Sequence, residues 1–141
     1  MNTHESYVSI EVAKLLKQAG FDWKQYSFYN SKCILMNGAF AANWNDICYM
    51  DGGYGSKVSA PTLEVAQRWL REVKGYYISI SRMPKCDYFD RYFTSIDIMK
   101  DDVDEELRDI NGEQIYISAK TYEEALETGI KKALKIILKE K

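Results

Sequence analysis

The sequence predicts an α+β fold, three amphipathic helices packed on a mostly antiparallel sheet, and two periodicities carry that expectation. In residues 9–19, 62–73 and 121–138, apolar side chains recur at three- and four-residue intervals, which is the spacing of one helix face. In residues 76–82 and 92–98 they fall on alternate positions, which is the spacing of a strand with one wet face. A third observation sets the scale: 141 residues, 46% hydrophobic and 28% charged, suit a single domain, 1–141, with one core.

The first helix has Val12, Leu15, Leu16 and Ala19 as its stripe, and Gly20 stops it. Residues 21–55 then gather Phe21, Trp23, Tyr26, Phe28, Tyr29, Phe40, Trp44, Tyr49 and Tyr54. Short β runs are expected at residues 25–30, 34–36 and 47–50, broken by Asn37-Gly38 and by Asp51-Gly52-Gly53. Such aromatics can stack on bases or sugars; the plainer reading is that they cover one end of the sheet. The run GGYGSK lacks the spacing of a phosphate-binding loop, because no serine or threonine follows Lys57.

The central stretch, residues 59–80, organises the chain. Pro61 holds Ala60 extended, Thr62 is placed to cap, and Leu63, Ala66, Trp69, Leu70 and Val73 form the buried stripe. Glu64 and Arg68 are spaced for an ion pair. Gly75 ends the helix, and Tyr76, Ile78 and Ile80 share the inner face of the strand that follows.

Tyr92, Thr94, Ile96 and Ile98 line one face of a second strand that pairs with the first. Residues 101–109, DDVDEELRD, read as a solvated acidic loop. Asp102, Asp104, Glu106 and Glu113 mimic the ligand spacing of a calcium loop, yet Leu107 stands where that loop needs glycine. A short strand is expected at residues 114–118. The last helix buries Tyr122, Ala125, Leu126, Gly129, Ile130, Ala133, Leu134, Ile137 and Leu138, with Thr121 and Glu124 as a capping box. Gly129, inside that stripe, points to a close approach by another element. The openings SIEVA, TLEVA and TYEEA repeat a hydroxyl, a glutamate and an alanine, a common recipe for starting a helix.

The blocks SIEVAKLLKQAGF, SAPT with AQRWLRE, and TYEEALETGIKKAL resemble a family of small uncharacterised proteins associated with phages and mobile elements of gut bacteria. That resemblance implies provenance and a shared fold, and it transfers no catalytic residue.

Chemistry is sparse. His4 is the single histidine, which removes the commonest general base. Cys33, Cys48 and Cys86 form no C-x-x-C pair and read as free thiols that pack as small hydrophobes. Asp87, Asp90 and Asp97 give no sign of converging. No catalytic, cofactor-binding or metal-binding residue is therefore assigned, and no cofactor is expected.

A net charge of −2 gives no electrostatic reason to bind nucleic acid or an anionic membrane, and Lys131, Lys132, Lys135 and Lys139 read as a solvated face. No apolar run is long enough to span a bilayer and no signal peptide is evident, so a cytoplasmic protein is expected. The function expected is that of a non-enzymatic accessory or interaction protein of phage or mobile-element origin, with an unknown protein partner or a homodimer. The alternative is a nucleic-acid-binding regulatory protein, because EVAKLLKQAGF resembles the opening helix of winged-helix domains; no basic recognition helix follows it. Two routes to a homodimer are expected, the aromatic surface of residues 21–55 and an edge strand at residues 88–99.

Overall fold

Ser9, Thr62 and Thr121 open the three helices in the same way. Ser9 Oγ accepts from the Val12 amide at 3.3 Å, Thr62 Oγ1 from Val65 at 3.3 Å and Thr121 Oγ1 from Glu124 at 3.1 Å. Each bond satisfies one of the amides that a first turn leaves without a partner. The helices are α1, Ile10–Ala19, α2, Leu63–Trp69, and α3, Tyr122–Lys139. The shared sequence recipe is thus a shared cap.

The computed structural model describes residues 6–45, 57–82, 92–100, 103–106 and 117–139. Seven strands accompany the helices among these residues, and every pairing is antiparallel. They divide between two sheets. β1, Gln25–Tyr29, lies between β2, Leu35–Ala42, and β3, Val58–Ser59. In the other sheet β4, Tyr76–Arg82, pairs with β5, Tyr92–Lys100, while β6, Val103–Glu106, and β7, Ile117–Ala119, also pair with β5. Because β4 occupies one side of β5 from Tyr92 to Ile98, β6 and β7 share the opposite side.

The core forms where α3 lies across β4 and β5 with α1 and α2 against it. Leu16, Leu63, Trp69, Leu70, Ile78, Ile96, Leu126, Ile130 and Leu134 meet there. Trp69 is 1% exposed and packs edge-on against Phe21 at 5.4 Å. The alternation predicted for the paired strands holds, with Tyr76, Ile78, Thr94, Ile96 and Ile98 buried and Ser79 exposed. Gly129 sits against β4 and β5, the close approach its place in the stripe suggested.

The segment before α1 ties the parts together. Val8 N donates to Pro61 O, Leu63 N to Ser6 O, and Ser9 N to Glu127 Oε1 on α3. Tyr29 OH donates to Val8 O at 2.7 Å. Burial, then the Glu127 charge, pushes the Tyr29 phenol above its ordinary pKa, so it stays a donor.

Several expectations are corrected. Val73 is 52% exposed rather than buried, because the helix closes with a π turn, Leu70–Lys74, whose wider i→i+5 winding shifts the phase of the stripe. Gly75, at φ 74°, then ends it. Arg68 pairs with Glu72 at 3.1 Å instead of Glu64. Tyr122 is exposed, with its ring edge-on to Tyr92 at 6.2 Å. Asn37-Gly38 does not break the chain: β2 runs through it, and the turn lies earlier, at residues 30–34. Within the acidic run, residues 103–106 form β6 rather than a loop, drawn in by backbone pairing with β5. β5 is flanked on both sides, so its described part offers no free edge for a dimer. The strand expected at residues 114–118 is described from Ile117 as β7, and that expected at residues 47–50 lies outside the described residues.

Candidate functional site

The β1–β2 hairpin touches the main core through Tyr29 and has a small core of its own, Phe28, Ala42 and Trp44. Its turn is built by Asn30, whose Oδ1 accepts from the amides of Lys32 at 2.9 Å and Ile34 at 3.1 Å. Asn side chains favour such turns because they mimic the backbone. Cys33 follows at φ 62° and is exposed, so this thiol is not the small buried hydrophobe the sequence suggested.

Trp44 anchors the hairpin. Its Nε1 donates to Gln25 O at 2.5 Å and its backbone amide to Ser59 Oγ at 3.1 Å. Its ring lies 4.4 Å from that of Phe28 and 5.5 Å from that of Phe40. A Cβ on Gly38 would come 2.6 Å from Trp44 Cζ2, so β2 passes the indole only with glycine at that position. Between Gln25 and Ser27 the register of β1 against β2 jumps from Ala42 to Asn37, and β2 bulges around the ring. Lys57 Nζ completes the group, 5.3 Å from the Phe28 ring and 5.4 Å from Trp44.

This scaffold buries one side of the aromatic segment and leaves the other in water. Tyr26 is 61% exposed and Phe40 59%, and Ile34, Leu35 and Met36 are exposed beside them. No charged side chain occurs in residues 33–45. The sequence placed an excess of aromatic surface here, but it could not separate Phe28 and Trp44, which are buried, from Tyr26 and Phe40, which are not. Alternation around a bulge decides that.

A second candidate is polar. Thr128, Lys131, Lys132 and Lys135 line a depression of about 280 Å³ on the outer face of α3. Lys131 Nζ is 2.8 Å from Glu11 Oε1 on α1, and that bond holds the Glu11 carboxyl below its ordinary pKa. One of the lysines is thus engaged in joining α1 to α3.

His4, Cys48, Cys86, Asp87, Asp90, Asp102 and Glu113 lie outside the described residues. Asp97 stands on β5 opposite Tyr77 and Glu106. Among the described residues no group of three or more His, Cys, Asp or Glu could hold a metal ion, and no helix is long and apolar enough to cross a membrane. In comparisons with known proteins, no family model, curated protein or solved structure matches the chain.

Proposed function

We propose that this is a non-enzymatic interaction protein of the cytoplasm, of the phage or mobile-element type its sequence blocks resemble, and that the β1–β2 hairpin is its contact surface. One observation supports the reading: Tyr26, Met36 and Phe40 stand exposed around a stretch, residues 33–45, that has no charge. Large apolar surfaces are uncommon on monomers and mark places of contact, and aromatic residues and Met are enriched in interface cores. The anchoring of Trp44 to Gln25 and Ser59 fixes this surface before any partner arrives, which lowers the ordering cost of association.

A photo-crosslinking side chain placed at Phe40, with exposed Lys132 on α3 as control, tests this in the native host. Adducts are expected at position 40 and absent at 132. No adduct at 40, or equal adducts at both, rejects the hairpin as the contact surface.

A further inference from the structure

We propose that the occupant of this hairpin is a second copy of the chain, joined edge to edge through β2 across a two-fold axis. The proposal rests on the reading of the hairpin as the contact surface and adds the identity of the partner.

The hydrogen-bond alternation shows which backbone groups are on offer. Asn30 N donates to Ile34 O at 3.1 Å, while Ala60 N donates to Ser27 O at 3.0 Å on the other side of β1. Phe28 is the Cα partner of Met36 and Tyr29 that of Leu35. In an antiparallel pair, bonded and non-bonded positions alternate, so Ile34 and Met36 face β1. Leu35 and Asn37 therefore turn their N–H and C=O groups outward. Among the described residues, no strand pairs with β2 on that side.

An open edge of this kind pairs with another strand unless something obstructs it. The other edges have obstructions. β3 is two residues long. β6 is four residues long. The β4 backbone receives Gln67 Nε2 from α2 at the Ile78 carbonyl, 2.8 Å away, and the strand ends on Arg82. β2 has eight residues, LMNGAFAA, without a charge or a proline. Before the bulge, its regular edge from Leu35 to Asn37 runs for roughly 10 Å at about 3.4 Å per residue.

The same neutrality favours a copy of itself. Two β2 strands meet without like-charge repulsion. A two-fold axis makes the contact isologous and closed. Two three-stranded sheets become one of six strands, whose outer edges are the two short β3 strands, so growth stops at the pair.

Sedimentation equilibrium of the full chain over a wide concentration range tests this. The mass is expected to rise from 16.4 kDa toward twice that value. Leu35→Pro removes an outward amide without breaking a bond to β1, and Leu35→Lys places charges face to face. Both variants are expected to keep the wild-type circular dichroism and to stay at the monomer mass. If the proline variant does not fold, the lysine variant decides. A wild-type mass that stays at the monomer value, or folded Leu35→Lys that still dimerises, overturns the proposal. A monomer whose residue 40 crosslinks to a different protein removes the second copy and leaves the contact surface standing; a monomer with no adduct removes both.

Discussion

Gly129 of α3 and Thr94 of β5 approach so closely that a Cβ on the glycine would lie 2.5 Å from Thr94 Cγ2. Thr94 has little freedom to retreat, since it is buried and its Oγ1 donates to Ala125 O at 2.9 Å. Ile78 Cγ2 closes the other side at 3.1 Å. Helix and sheet are held at this distance by the missing side chain.

Gly129→Ala gains about 1 kcal/mol of helix propensity and loses about 1 to 3 kcal/mol to overpacking. The expected net result is a loss of stability of about 1 kcal/mol in denaturant melts. Adding Thr94→Ser, which deletes Cγ2 and keeps the hydroxyl, should recover part of that loss. A Gly129→Ala protein more stable than wild type would show that the contact yields easily.

Trp69→Ala should cost about 3 to 5 kcal/mol, the range for truncating a large buried aromatic. Arg68, its neighbour, makes only surface contacts, to Glu72 at 3.1 Å and over the Trp23 ring at 5.4 Å. Arg68→Ala should therefore cost about 1 kcal/mol or less. Chemical denaturation midpoints compare the two, and similar midpoints would place Trp69 on the wrong side of the helix.

Acid should loosen α1 from α3 through Glu11. The bond to Lys131 favours the ionised carboxylate and depresses its folded-state pKa. The stabilisation is therefore present above the unfolded carboxylate pKa and is lost as pH falls through the lower, folded value. Urea melts across that acidic range should show wild type losing stability that Glu11→Gln has already lost at neutral pH. Parallel curves for the two proteins would rule the pair out as a pH-dependent clasp.

Random duplex or single-stranded DNA should show no salt-dependent association at moderate ionic strength. The chain has a net charge of −2, and Glu11 engages Lys131 within the lysine face of α3. Fluorescence anisotropy over a salt series is the measurement. Micromolar affinity that falls steeply with salt would instead favour the nucleic-acid-binding regulator.

The helices were legible because their signals are local: a hydroxyl cap, a stripe at helical spacing, and Gly20 or Gly75 at the end. What escaped depends on distant partners. Asn37-Gly38 looks like a turn until Trp44 is seen to need the glycine. The acids of β6 look like a loop because strand pairing with β5 is made by the backbone, on which side-chain composition is silent. Val73 leaves the stripe because the α-helical period does not continue through a turn that winds as π. The candidate site fell between these cases: its aromatic excess was visible, and its exposed side was set by the bulge around Trp44.

The bond from Ser9 N to Glu127 Oε1 spans 118 positions of the chain. During synthesis, at about 5 to 20 residues per second, roughly 6 to 24 s separate the two ends of that bond. Collapse of a chain this size takes microseconds, so throughout that interval the apolar stripe of α1, including Val12 and Leu16, waits without the α3 surface that finally covers it. The α1–α3 contact is therefore made only after the whole of α3 has been synthesised.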